Sequence, residues 1–275
     1  MSDKRIREYY ERLSRARVEF AQEVDAQHKH FWSGSHRYRF KEKLRELVLN
    51  KIKKKAGQIV LDIGCGSGSD FLAIAKEKIF FGYGLDFSLS QLEQAASNDE
   101  LKGFRWVQAE VDYLPFKDSS YDIVIFSEVI EHLTDCSKSL SDIHRILKKD
   151  GYLFLTTPNR YDYYHFLGTF FPKKIRKSLR NSLQDNADID SGEYSSNFAE
   201  HVHLFTFKEL LKKVESHNFQ LEAFQPGMLS VPIPRLFDRY RFLQALWETV
   251  DCLTGKIPLS KSVRANFILV LKKAD

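Results

Sequence analysis

The chain is predicted to fold as a doubly wound α/β domain around a mostly parallel, seven-stranded sheet, on three observations. Short apolar runs alternate with helical stretches from residue 58 onward, the runs lack a polar face, and the first ends in a glycine-rich turn. A strand with no polar face is buried on both sides, and helices crossing over both faces of a parallel sheet supply that cover.

The elements follow in chain order. Residues 3–57 read as two helices broken around Phe31-Trp32-Ser33-Gly34, the second with Phe40, Leu44, Leu47 and Val48 at helical spacing, so residues 1–57 are expected to form an N-terminal helical lid. Residues 58–275 then form the main domain. Gln58 to Asp62 is the first strand, and Phe71 to Ala75 continues as helix. Phe80 to Asp86 is the second strand, and Ser88 with Gln91 has capping-box spacing for the helix that follows. Phe104 to Gln108, Tyr121 to Ser127 and Gly151 to Thr157 are the next three strands, the last two flanking a helix around Ser137 to Leu147. Thr206 with Glu209 marks another capped helix, before strands at Phe219 to Gln225 and Asn266 to Leu271. Two insertions interrupt this rhythm, at about residues 158–203 and 227–262. The second holds a helix from about Arg235 to Leu253.

The 275 residues are 43% hydrophobic, 29% charged and 13% aromatic, with 22 Phe and 12 Tyr, so disorder, collagen and coiled-coil readings are excluded. No run reaches the roughly 18 apolar residues needed to cross a bilayer, and Met1 to Arg17 is too charged for a secretory signal; a cytoplasmic protein is expected. Cys65, Cys136 and Cys252 stand at unrelated spacings, which implies neither a disulfide framework nor a cysteine metal cluster. The net charge of +5 is uneven. Residues 1–57 carry 16 Lys and Arg against 8 Asp and Glu, residues 58–157 carry 9 against 16, and residues 158–185 carry 6 against 2. A basic wrap therefore surrounds an acidic centre, suited to a nucleic-acid backbone, an anionic lipid surface or an acidic metabolite, or simply to solvated helix faces.

The sharpest signal is Val60-Leu61-Asp62-Ile63-Gly64-Cys65-Gly66-Ser67-Gly68. Three alternate glycines let a turn pass close to a ligand, and Asp86 ends the next strand where a carboxylate can accept both hydroxyls of a ribose. A dinucleotide loop would need a third glycine where Ser69 stands. The Asp-x-Gly-x-Gly-x-Gly form instead resembles the first motif of class I, Rossmann-like S-adenosylmethionine-dependent methyltransferases. The resemblance continues through Glu110 with Leu114-Pro115-Phe116, through Tyr121-Asp122-Ile123-Val124, and through Arg145-Ile146-Leu147-Lys148-Lys149-Asp150-Gly151, where Asp150 replaces a glycine. It implies S-adenosyl-L-methionine as cofactor, held by Asp62, Gly64, Cys65, Gly66 and Gly68, by Asp86 and Phe87, and by Glu110, Val111 and Ser127.

For an in-line methyl transfer the protein positions two reactants and, for an oxygen acceptor, removes a proton. Ser127-Glu128-Val129-Ile130-Glu131-His132, after the fourth strand, holds three proton or metal ligands within five residues. With Asn159 and Arg160 this segment is similar to ubiquinone-biosynthesis O-methyltransferases, which implies a divalent cation such as magnesium on Glu128, Glu131, His132 and Asn159. Metal-free relatives imply instead that His132 is a general base or shapes the pocket, and a packed or capping histidine is the third reading. His201 and His203 form a second cluster ahead of the capped helix, with His201 a catalytic candidate on the acceptor side.

Tyr161, Tyr163, Tyr164, Phe166, Phe170 and Phe171 precede Lys173, Lys174, Arg176, Lys177 and Arg180, an order suited to a membrane interface. Leu236, Tyr240, Leu243, Trp247 and Val250 repeat at helical spacing in the second insertion, which suits either packing or a lipid contact. The expected act is methylation of a hydroxyl on a small, prenylated or quinone-like, or lipid-linked sugar acceptor, with contact at the membrane surface. RNA methylation and a non-enzymatic cofactor-binding scaffold are the rivals. No nucleic acid is expected as partner, because no separate RNA-binding module is visible.

Overall fold

The computed structural model describes residues 31–53, 56–75, 77, 79–161, 202–227, 241–255 and 264–274. The first described helix, α1 (Phe31–Ile52), is continuous through Gly34, where a break was expected. The expected helix before it, most of the first insertion, the start of the second and His201 lie outside the described residues.

Seven strands carry the domain. In chain order the elements are β1 (Gln58–Ile63), α2 (Ser69–Ala75), β2 (Phe80–Asp86), α3 (Leu89–Ala96), β3 (Arg105–Gln108), β4 (Tyr121–Ser127), α4 (Ser137–Ile146), β5 (Leu147–Pro158), α5 (Phe207–Glu215), β6 (Phe219–Pro226), α6 (Arg241–Gly255) and β7 (Asn266–Lys273). The sheet order is β3-β2-β1-β4-β5-β7-β6. All pairs among β3, β2, β1, β4 and β5 are parallel, and β7 runs antiparallel between β5 and β6. The chain reverses its winding at β1, so the carboxyl ends of β1 and β4 border a crevice where a ligand can enter.

The alternation of side chains divides the buried residues into two layers. On one face Leu61, Val124, Phe126, Leu153 and Leu155 pack with Leu140, Ile143 and Ile146 of α4 and Leu210 and Val214 of α5. On the other, Val60, Ile123, Ile125, Phe154 and Ile268 pack with Leu44, Val48 and Ile52 of α1 and Phe71 and Ile74 of α2. The stretch of α1 from Leu44 to Ile52 therefore packs into the core. Burying two apolar faces of one sheet supplies most of the drive for folding.

The motif residues away from the glycine loop hold this frame together. Asp122 Oδ2 accepts from the Ile59 amide at 2.9 Å and from Lys148 Nζ at 2.7 Å, tying β1, β4 and the turn before the main run of β5. Arg145 donates to Asp142, to the carbonyls of Leu114 and Phe116 and to Asp118, which fixes the segment after β3. Asp150 has φ +61°, the left-handed conformation for which glycine is usual and Asp tolerable, so the missing glycine of the turn is accommodated. The Thr206–Glu209 capping box forms in full ahead of α5. At α3 the Ser88 hydroxyl accepts from the Gln91 amide. Among the described residues no helix is long and apolar enough to cross a membrane.

Candidate active site

Gly64, Gly66 and Gly68 have φ of +72°, +51° and +80°, so the loop after β1 turns through a backbone path that L side chains resist. Their roles differ. A Cβ on Gly64 would stand 2.4 Å from Val129 Cγ2, and one on Gly68 would stand 2.6 Å from Leu101 Cδ1. A Cβ on Gly66 would meet nothing nearer than Gln91 Oε1 at 3.6 Å. Gly64 and Gly68 are thus closed in by the protein, while Gly66 borders open space.

Two carboxylates frame that space. Asp86, at the end of β2, accepts from the Gly66 amide at 2.8 Å and from the Ser88 amide at 2.9 Å, so it orients the loop and is itself held in place. Asp62, at the end of β1, is 1% exposed, and its Oδ2 has no hydrogen-bond partner. Burial pushes its carboxyl well above the usual range, with Asp70 and Asp86 adding repulsion and Lys41 of α1 opposing it. The Cys65 thiol is pushed up by burial and by the neighbouring carboxylates, so it stays protonated and offers its backbone rather than a nucleophile. Phe87 and Glu110 border the same edge; the Phe87 carbonyl accepts from Gln108 Nε2 at 3.1 Å and the Glu110 carbonyl from the Tyr113 amide at 3.1 Å. Val111 is half-buried against the core. This set fits a nucleoside with a cationic side chain: an open glycine loop, a carboxylate placed for hydroxyls and a buried oxygen lacking a donor.

The end of β4 carries a second cluster. Ser127 and Thr156 share a hydroxyl contact of 3.0 Å. Glu128 has φ +55°, and its carboxylate accepts from Thr156 Oγ1 at 2.9 Å and from Asn266 Nδ2 at 3.1 Å. Those bonds, with its amide donating to Thr156, hold a non-glycine residue in a left-handed conformation, a cost that persists at positions the surroundings over-determine. Glu131, in the single turn Ile130–His132, is 1% exposed. Its Oε2 accepts from Thr157 Oγ1 at 3.1 Å, while Oε1 has no hydrogen-bond partner and lies 3.9 Å from His132 Nε2. Burial, then the charge of Glu128, pushes the Glu131 carboxyl well above the usual carboxylate range. Its backbone carbonyl accepts from the amides of Val202 and His203, which brings His203 against this turn.

The four residues expected to hold a divalent cation do not form its site. Asn159 is 1% exposed and its carboxamide is committed to backbone: Nδ2 donates to the Arg264 carbonyl at 2.8 Å, and Oδ1 accepts from the Tyr161 amide at 3.0 Å. Among the described residues no three His, Cys, Asp or Glu side chains are disposed to hold a metal ion. A hard cation needs several oxygens converging, and here Glu128 and Glu131 are held by different threonines. Sequence reasoning missed Thr156, Thr157 and Asn266, which orient the two glutamates. The visible signal was a pair of threonines ending an otherwise apolar strand.

Comparison with known proteins adds the following. Residues 33–223 match the family model described as a methyltransferase domain. The chain is 33% identical over 110 residues to a 2-phytyl-1,4-naphthoquinone methyltransferase of Nostoc punctiforme, covering 38% of this chain and 48% of that protein. It is 27% identical over 192 residues to a human mitochondrial arginine hydroxylase, covering 70% of this chain and 50% of that protein. The chain thus spans about half the length of these relatives. Among solved structures the cyclase SpnF superposes with a TM-score of 0.55 at 18% identity, covering 85% of this chain and 81% of the other. At that identity the likeness shows the fold.

Proposed function

The chain belongs to the methyltransferase-domain family, and from that premise we propose that it transfers a methyl group from S-adenosylmethionine to a hydroxyl of a small acceptor carrying a prenyl or other lipid tail. The observation that carries the cofactor half is Gly66, the one loop glycine open to a ligand, with Asp86 bonded to its amide. The resemblance to a phytyl-naphthoquinone methyltransferase supports the acceptor class, and so does the aromatic and basic composition of the insertions.

The cofactor would supply a methyl group on a sulfonium, an already good leaving group. The protein then has to orient two reactants and accept one proton. Asp86 and the loop from Gly64 to Gly68 would hold the nucleoside end. Glu128, fixed by Thr156 and Asn266 at the carboxyl end of the sheet, and His132 beside it would face the acceptor and take its proton. Burial and the charge of Glu128 bias Glu131 behind them toward its protonated form, which would limit the build-up of adjacent negative charge there.

Because relatives of this fold also hydroxylate and cyclise, the deciding experiment follows the methyl group itself. Purified protein is incubated with methyl-labelled cofactor and a panel of short-tailed hydroquinones and catechols, and extracted label is counted. Label in the organic phase, reduced at least 100-fold in Asp86→Ala, is the expected result. Cofactor binding without any labelled product across the panel would overturn the acceptor assignment, and no cofactor binding at all would overturn the site.

A further inference from the structure

Helix α6 is apolar on the wrong side. Its half-buried residues Leu243, Trp247, Val250 and Thr254 mark one face turned toward the protein, while Phe242, Leu246 and Leu253 are 67%, 60% and 60% exposed. Ala245, Thr249 and Cys252 are exposed with them. At about 100° per residue these six positions fall within one arc of about 120°, and none of them is charged. The helix's Asp251 is turned away from that arc: its carboxylate binds Arg264 Nη1 at 2.5 Å, and Arg264 is 3% exposed. A surface helix ordinarily spends its apolar stripe on the core and shows charge to water. Here a second apolar stripe remains after the first is spent.

The acidic residues of this helix, Glu248 and Asp251, fall outside that arc at about 100° per residue, and the charges next to its two ends in sequence are cationic apart from Asp238. Arg241 is its first residue, Arg235 and Arg239 precede it closely in sequence, and Lys256 follows its last residue. An uncharged stripe flanked by cations matches a surface with an apolar interior and anionic headgroups. We propose that the exposed face of α6 is a docking surface for an anionic membrane, which it enters in the plane of the headgroups with Phe242, Leu246 and Leu253 below them. Such docking would present the cleft to an acceptor whose tail stays in the bilayer. That purpose rests on the acceptor class proposed above, whereas the docking and its test do not.

The test is co-sedimentation of the full chain with vesicles of phosphatidylglycerol and phosphatidylcholine at low salt, against vesicles of phosphatidylcholine alone. Wild type is expected to sediment with the anionic vesicles and to be released by high salt, as screening requires. Phe242→Asp with Leu246→Asp is expected to bind at least tenfold more weakly, and the milder Leu246→Gln with Leu253→Gln to bind detectably less. Calorimetry with S-adenosylhomocysteine checks that each variant keeps its cofactor affinity, which separates loss of docking from loss of the fold or failure of the site. Wild type remaining in the supernatant, equal binding to both vesicle types, or equal binding by folded variants would each overturn the proposal. So would light scattering that finds a dimer in wild type and a monomer in the variants, because a second copy would then be what covers the face.

Discussion

Gly64 and Gly66 stand two residues apart with similar backbone angles, and opposite outcomes are expected when each becomes alanine. Gly64→Ala forces a Cβ against Val129 at 2.4 Å, so packing and loop must shift, with a loss of about 2 to 3 kcal/mol of stability. Gly66→Ala meets no such wall and is charged only for its left-handed angle, about 1 kcal/mol. Cofactor binding should nevertheless fall at least tenfold in Gly66→Ala, because the added methyl occupies the open side of the loop. Thermal unfolding and calorimetry on the pair measure both quantities; a Gly66→Ala protein with unchanged affinity would remove Gly66 from the site. Glu131 supports a second expectation. Its folded-state pKa is raised, so the native state holds a proton that the unfolded chain releases above the ordinary glutamate value. Its contribution to stability therefore declines as pH rises from that value toward the raised one, and levels off above it. Glu131→Gln removes this dependence, so the difference in unfolding free energy between variant and wild type should move in the variant's favour from pH 4 to pH 8. Taking the difference cancels the similar titration of Asp62. A flat difference would mean that Glu131 is ionised in the native state.

The carboxyl end of β5 is where the inserted segments return to the domain, and a few hydrogen bonds hold them there. Beyond its carboxamide bonds, Asn159 donates its amide to the Ala265 carbonyl at 2.8 Å and bridges Phe205. Arg160 donates Nε to the Leu204 carbonyl at 2.8 Å and pairs with Glu209 of α5. One asparagine therefore ties β5 both to the chain entering β7 and to the chain entering α5. Asn159→Ala leaves the Arg264 carbonyl and the Tyr161 amide without their partner, a loss of about 2 kcal/mol. Hydrogen exchange should accelerate at both 202–206 and 264–267 in this variant, with cofactor affinity within about threefold of wild type. Faster exchange in only one of the two segments would show that Asn159 does not join them. The capping box at Thr206 is a local device by contrast, and Thr206→Ala should cost about 1 kcal/mol by denaturant unfolding, without altering exchange at 264–267.

Across the described residues of the molecule no three His, Cys, Asp or Glu side chains are disposed to hold a divalent cation. Chelator and magnesium should each leave the unfolding temperature and the S-adenosylhomocysteine affinity unchanged, because the Asn159 carboxamide is committed to backbone and Glu128 and Glu131 are held by different threonines. A magnesium-dependent rise in either would restore the metal reading. The contrast with the sequence is instructive at this level. The glycine loop, the end of β2 at Asp86, the positions of the strands and the capped helices were legible in the chain, because each depends on residues within one turn or on the period of one element. The continuity of α1 through Gly34 was not, since packing of Leu44, Val48 and Ile52 against the sheet outweighs the roughly 1 kcal/mol that a glycine costs a helix. Glu128, Glu131, His132 and Asn159 read as one ligand set because they carry the right atoms near two strand ends. Which way those atoms point was decided by Thr156, Thr157, Asn266 and the Arg264 carbonyl, more than 100 residues away in the last two cases. A residue's chemical type is a local property, whereas the partner that consumes its lone pairs is chosen only when distant strands pair.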